Sequence, residues 1–158
     1  MGVDVTTETV IRRPREEVAE YVSDPSNAPD WYVNIASVEW KTPPPLAAGA
    51  RIAFVAQFLG RRLAYIYEVA DYVPEERLVM RTEQGPFPME TSYAWDSTPE
   101  GDTRMTLRNR GTPAGFSSLA APFMSASMRR ANKKDLARLK GLLEARGQAA
   151  GGRTAAGQ

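Results

Sequence analysis

Three tyrosines, Tyr65, Tyr67 and Tyr93, are the side chains whose type and spacing best suit chemistry on a small molecule. Each lies in a stretch where apolar and polar residues alternate, and residues two apart in a β-strand point to the same face of the sheet. We therefore expect their hydroxyl groups to face an interior, where they can hydrogen-bond the carbonyl or phenol oxygen of a substrate. Catalysis at such a site would work by shaping the substrate and polarising its carbonyl. The pattern assigns no specific catalytic residue.

The sequence contains no cysteine and no histidine, which excludes several kinds of site. A thiol nucleophile, a disulfide, a Cys/His zinc site and a Ser-His-Asp triad are all impossible. Proton transfer near neutral pH must therefore use Asp, Glu, Tyr or Lys with a shifted pKa, or water. We expect neither a metal site nor a cofactor.

A larger set of aromatic, methionine and leucine side chains is expected to face the same interior. Taken singly, each is typical of a packed core. Taken together, they favour a ligand pocket, because buried Tyr and Trp need partners for their polar tips and Met adapts to a ligand. The predicted ligand-binding residues are Trp31, Phe54, Phe58, Tyr65, Tyr67, Met89, Tyr93, Trp95, Met105, Leu107, Phe123, Met124 and Met128.

Trp31 and three further residues are placed near the mouth or the end of this interior. Trp31 and Tyr32 are expected to line the mouth, although Trp31 could instead plug the end of the sheet. Asp30 and Asn109 could orient a ligand or a water molecule there. Charged residues at the alternate positions of the same strands point to the other face of the sheet and are expected in solvent, where they would pair across strands. They are Glu68, Glu90, Asp96 and Arg108.

The periodicity of the chain predicts one strand, two short helices, six strands joined by short turns, and one long helix. Strands are predicted at residues 3–11, 36–40, 51–59, 61–73, 77–83, 87–97 and 103–110, and short helices at 14–23 and 28–34. Short turns between successive strands indicate an antiparallel meander. One face of that sheet must be covered, and only the helix predicted at 114–146 is long enough to do so.

The long helix has an apolar stripe and a basic back. The stripe contains Met124, Met128, Ala131, Leu139, Leu142 and Leu143, and a kink is expected at Pro122. From Arg129 onward the net charge is +6, whereas the rest of the chain carries −5. This basic back can be simply solvated, or it can dock an acidic protein or an anionic membrane surface.

Composition bounds the remaining expectations. With 158 residues, the chain fits one domain, here residues 1–146, followed by a disordered tail at 147–158 that is rich in Gly, Ala and Gln. A net charge of +1 argues against nucleic-acid binding. No apolar run reaches the length of a membrane span and no signal-like segment is seen, so we expect a cytoplasmic monomer or homodimer.

Several short motifs resemble the START/Bet v1-like helix-grip superfamily, and within it the bacterial polyketide cyclase/dehydrase-like branch, over residues 3–146. They are Ile11-(x)2-Pro14-(x)3-Val18, Asp24-(x)2-Asn27-(x)3-Trp31, Gly49-(x)4-Phe54, the strand Tyr65-Ile66-Tyr67-Glu68-Val69, and Gly101-Asp102-Thr103-Arg104. The resemblance implies an α+β fold in which a seven-stranded antiparallel sheet wraps around the long C-terminal helix. It also implies a cavity between them for an apolar or amphipathic small molecule.

Three functions remain open at this point. The first is binding of a small hydrophobic or aromatic ligand, lipid-like or polyketide-like, in that cavity. The second is a polyketide cyclase, aromatase or dehydratase acting on such a ligand. The third is a docking domain that uses Arg129, Arg130, Lys133 and Lys134.

Overall fold

A computed structural model describes residues 2–58, 60–85, 88–112 and 121–156. Its centre is one antiparallel sheet of seven strands in the order β1-β7-β6-β5-β4-β3-β2. The strands are β1 (Val3–Ile11), β2 (Ile35–Trp40), β3 (Arg51–Phe58), β4 (Arg61–Val73), β5 (Arg77–Gln84), β6 (Met89–Ser97) and β7 (Thr103–Gly111). The meander predicted from period-two alternation is confirmed, and the last strand pairs with the first.

Glycines close two of the hairpins. Gly60 between β3 and β4 has φ +75°, and Gly101 between β6 and β7 has φ +83°. This left-handed region strains residues that carry a Cβ atom, so glycine is the favoured residue at both turns. The turns set the register that brings alternate residues of neighbouring strands to one face.

Two short helices lie between β1 and β2. Helix α1 (Arg15–Ser23) begins after Pro14, with Glu16 and Glu17 in its first turn. A 3₁₀ helix (Pro25–Asn27) leads into α2 (Ala28–Trp31), which ends three residues before the end of the predicted helix 28–34. The physical reason is that the N–H of Val33 donates to the side chain of Asp135 rather than to a helix carbonyl.

The long helix α3 is described over Ala121–Ala156. The predicted start at residue 114 lies outside the described residues, as do all of residues 113–120. Because residues 113–120 lie outside the described residues, the kink expected at Pro122 stays a prediction. The described helix continues through residues 147–156, where the sequence predicts a disordered tail. The disorder of this segment in solution stays a prediction.

The helix packs its apolar stripe against the inner face of the sheet. Leu136, Leu139 and Leu143 are fully buried in the main core, together with Ile11, Trp95, Met105 and Leu107. The back of the helix is exposed, including Arg129, Arg130, Lys133 and Lys134. Among the described residues, no helix is long and apolar enough to cross a membrane.

Two of the four charged residues predicted on the solvent face, Glu90 and Arg108, pair across strands there. Glu90 accepts hydrogen bonds from Arg81 and Arg110, each directly opposite it on a neighbouring strand. Arg108 binds Asp4 of β1 through two hydrogen bonds of 2.9 and 2.7 Å. These pairs leave the inner face to apolar and neutral polar side chains.

Candidate functional site

A cavity of about 160 Å³ lies between the inner face of the sheet and α3. Its walls come from β2, β3, β4, β5, β6, β7 and α3, and from the segment that follows α2. Six of the predicted ligand-binding residues line it: Phe54, Tyr65, Tyr67, Met89, Tyr93 and Met128. The structure therefore brings together all three tyrosines proposed for chemistry.

The other predicted residues are placed elsewhere. Trp31, Trp95, Met105 and Leu107 are almost completely buried and belong to the packed core, and Met124 packs with Val3 and Val5. Trp31 contacts the ring of Tyr32, with ring centroids 3.9 Å apart, and so packs beneath the site. The side chain of Phe58 lies outside the described residues.

Phe123 differs from the prediction. Its side chain is 65% exposed, although its neighbour Met124 is buried. Adjacent helix positions are rotated by about 100° from each other, so only one of the two can face the sheet. Met124 continues the inner stripe and Phe123 therefore points away from the cavity.

Two tyrosine hydroxyl groups meet at one end of the cavity. The hydroxyls of Tyr32 and Tyr93 are hydrogen-bonded at 2.5 Å. Burial raises the pKa of both phenols above the usual value, and the negative charge of Asp135 adds to the effect. Both tyrosines are therefore neutral at physiological pH and act as hydrogen-bonding groups.

A second pair of hydrogen-bonded polar side chains connects β6 and β7 inside the cavity. The hydroxyl of Thr91 on β6 donates to Oδ1 of Asn109 on β7 at 2.8 Å, and the two residues are direct partners in the sheet. Burial raises the pKa of Tyr67, which lines the same cavity. Asn109 thus lies in the cavity as predicted. Asp30 is exposed, and its backbone carbonyl accepts a hydrogen bond from Arg138 at 2.5 Å.

Helix α3 contributes two polar residues that the sequence analysis did not predict, Asn132 and Asp135. Oδ1 of Asp135 accepts a hydrogen bond from the N–H of Val33 at 3.0 Å, and burial raises the pKa of this carboxyl to about 6. Nδ2 of Asn132 is buried and has no hydrogen-bond partner among the described residues. A spacing signal was available, because these residues continue the apolar stripe four and seven positions after Met128.

Among the described residues, the cavity lining carries a negative charge and no positive one. Asp135 is the one charged side chain among the described residues that line the cavity. The described part of the chain holds no group of three or more His, Cys, Asp or Glu residues that could bind a metal ion. The arrangement can therefore hydrogen-bond a ligand and, through Asp135, exchange a proton near pH 6.

Sequence comparison places residues 2–144 in the family described as polyketide cyclase / dehydrase and lipid transport. No curated protein matches the sequence.

Solved structures share the fold at low sequence identity. The Zhui aromatase/cyclase from Streptomyces sp. R1128 is 17% identical, with a TM-score of 0.79, covering 96% of this chain and 99% of that one. The protein TTHA0849 from Thermus thermophilus is 21% identical, with a TM-score of 0.77 and coverage of 90% and 97%. A START superfamily protein from Mycobacterium smegmatis is 13% identical, with a TM-score of 0.76 and coverage of 89% and 97%.

Proposed function

The chain belongs to the polyketide cyclase/dehydrase and lipid transport family of the START/Bet v1-like superfamily, and we propose that it binds a small, largely apolar molecule between the sheet and α3. One observation carries the proposal. Asn132 lines a cavity whose other walls are mainly aromatic and aliphatic, and its buried Nδ2 has no hydrogen-bond partner among the described residues.

Among the described residues, Ser23, Trp31 and Trp95 also bury a polar side-chain atom without a hydrogen-bond partner, but of these four residues only Asn132 lines the cavity. A buried polar group that lacks a hydrogen bond costs about 1–3 kcal/mol, and an apolar residue at position 132 would remove that cost. Side chains of this kind are typical of ligand sites, where a few polar groups in an apolar pocket orient the bound molecule. The ligand supplies the missing partner.

The proposal is tested by filling the cavity. Ala131 lines it, whereas Ala137 lies exposed on the same helix. Single-ring phenols, fatty acids, flavonoids, sterols and aromatic polyketide mimics are titrated by calorimetry into the wild type, Ala131→Leu and Ala137→Leu. We expect the binding seen with the wild type to be lost in Ala131→Leu and kept in Ala137→Leu. Equal binding by all three proteins would place the site elsewhere, and no binding by the wild type would refute the proposal.

A second function, cyclisation or dehydration of a bound polyketide-like substrate, is supported by Asp135. A carboxyl with a pKa of about 6 can accept or donate a proton near neutral pH, and the Tyr32 and Tyr93 hydroxyls lie in the same cavity. Turnover of a poly-β-ketone mimic should then fall in Asp135→Asn and in the Phe variants of Tyr65, Tyr67 and Tyr93. Absence of turnover by the wild type over a broad panel would refute this function.

A third function, docking on an acidic protein or an anionic membrane, is supported by the exposed basic back of α3. Replacing Arg129, Arg130, Lys133 and Lys134 by Gln should abolish binding to anionic lipid vesicles, and added salt should weaken binding by the wild type. Binding that is insensitive to both changes would refute this function.

A further inference from the structure

We infer that the preferred ligand is a neutral molecule with one ring and one hydroxyl group, such as a simple phenol, and that carboxylate lipids and multi-ring compounds are disfavoured. This inference rests on the proposed binding function and names the class of ligand. Three properties of the cavity carry it, namely its volume, the hydrogen-bonding groups of α3, and its charge.

Volume limits the ligand to about one ring. The cavity measures about 160 Å³. An apolar protein cavity of about 150 Å³ accommodates benzene, whereas pockets for larger, drug-sized ligands have about 300–1,000 Å³. A benzene ring with one or two small substituents therefore fits, and a long acyl chain or fused rings would extend beyond this volume.

The walls suit an aromatic ring. The rings of Phe54 and Tyr67 meet edge to face with centroids 5.6 Å apart, and the rings of Tyr65 and Tyr67 are 5.8 Å apart. Aromatic rings prefer such edge and offset contacts, so a further ring can join the cluster. Met89 and Met128 complete this part of the wall with side chains that adapt to the shape of the ring.

The two polar side chains of α3 suit a ligand group that both donates and accepts a hydrogen bond. Asn132 and Asp135 are three residues apart and therefore lie on the same helix face. The Asn132 amide N–H needs an acceptor, and the Asp135 carboxylate can accept further hydrogen bonds beside that from Val33. One hydroxyl group serves both, because its oxygen accepts from Asn132 while its hydrogen is donated to Asp135.

Charge disfavours an anionic ligand. The described residues that line the cavity include one carboxylate and no Lys or Arg. A ligand carboxylate would lose its hydration and would lie near a like charge with no cation to balance either. The nearby Arg138 is exposed and hydrogen-bonds the backbone carbonyl of Asp30. A neutral ligand avoids this cost.

Matched single-ring compounds test the inference at pH 7.5. Calorimetry compares p-cresol with toluene, which lacks the hydroxyl, with 4-methylbenzoate, which is anionic, and with 2-naphthol and laurate, which are larger. We expect p-cresol to bind at least about tenfold more tightly than each of the others. Toluene lacks the hydrogen-bonding group, 4-methylbenzoate brings a negative charge into the cavity, and 2-naphthol and laurate exceed its volume. Laurate, 2-naphthol, toluene or 4-methylbenzoate binding as tightly as p-cresol would overturn the inference and leave the proposed function standing. If none of the five compounds binds, the inference is overturned, and the broader panel used for the proposed function decides whether the cavity binds a larger molecule.

Two variants test whether Asn132 and Asp135 distinguish p-cresol from toluene and 4-methylbenzoate. Asn132→Leu should bring the affinities for p-cresol and toluene within about threefold of each other, while Ala137→Leu, at an exposed position of the same helix, should leave the tenfold difference unchanged. Asp135→Asn, which keeps the shape of the side chain, should improve 4-methylbenzoate binding relative to p-cresol by about tenfold. Unchanged ratios in both cavity variants would overturn the inference, and either variant suffices if the other does not fold.

Discussion

The carboxylate of Asp135 on α3 accepts a hydrogen bond from the backbone N–H of Val33, 102 residues earlier in the chain, at 3.0 Å. This bond holds the connection between α2 and β2 against the long helix. Tyr32, the residue before Val33, thereby reaches Tyr93 across the cavity. One buried carboxylate thus supports the fold and faces the proposed ligand.

The pH dependence of stability should reveal this carboxylate. Burial raises the pKa of Asp135 from 3.8 to about 6, so between these values the folded protein binds the proton more tightly than the unfolded chain. The contribution of Asp135 to stability is therefore present at low pH and is lost as the pH rises through 6. In Asp135→Asn the side chain does not titrate, so this loss of stability with rising pH does not occur. Its side-chain oxygen can still accept the hydrogen bond from Val33. We expect the variant to be more stable than the wild type by about 1–2 kcal/mol at pH 7.5.

Urea unfolding of both proteins at pH 4, 5, 6 and 7.5 checks this expectation. Other titrating groups cancel in the difference between the two proteins. The difference in the free energy of unfolding should grow from pH 4 to about pH 6.5 and then level off. A difference that is constant with pH would show that Asp135 titrates normally in the folded protein.

The Tyr32 and Tyr93 hydroxyls should be energetically coupled. Tyr93→Phe leaves the Tyr32 hydroxyl without its partner, and Tyr32→Phe does the same to Tyr93. Each single variant should lose about 1–2 kcal/mol of unfolding free energy. The double variant should lose less than the sum of the two, because no hydroxyl is then left unpaired. Additive losses in a double-mutant cycle would argue against the bond.

Two glycines should respond oppositely to alanine. Gly141 lies on the exposed side of α3, where an added Cβ meets no atom within 4 Å, so Gly141→Ala should stabilise the protein by about 1 kcal/mol through helix propensity. At Gly111 an added Cβ would collide with the backbone oxygen of Pro88 and the sulfur of Met89. Gly111→Ala should therefore lower the thermal unfolding midpoint, whereas Gly141→Ala should raise it. The same direction of change in both would contradict the packing described at β7.

The periodicity of the sequence predicts the fold closely because alternation and turn residues are local properties. The bounds of β1 and β4 agree with the prediction, and the glycines at 60 and 101 lie in the expected turns. The composition of the cavity wall is harder to predict. Strand parity states which face a side chain points to, but not whether helix leucines already fill the space in front of it. Trp95 and Tyr93 share a face, yet only Tyr93 lines the cavity.

Apolar periodicity alone does not predict Asn132 and Asp135, the two polar residues of α3 that line the cavity. Met124, Met128, Asn132, Asp135 and Leu139 follow one another at spacings of four, four, three and four along the same helix face. An amide and a carboxyl in such a stripe are unusual, because burying them is costly without partners. That conflict between pattern and polarity is the signal that points to the site.

The central claim, that this cavity binds a small molecule, is tested most directly by NMR of methionine methyl groups labelled with ¹³C. Met80, Met89 and Met128 line the cavity, whereas Met105 and Met124 are buried in other parts of the core. Titration with p-cresol should shift the first three methyl signals along one saturable curve and leave the other two nearly unchanged. Shifts of comparable size at all five methyl groups, or at none of them, would contradict the claim.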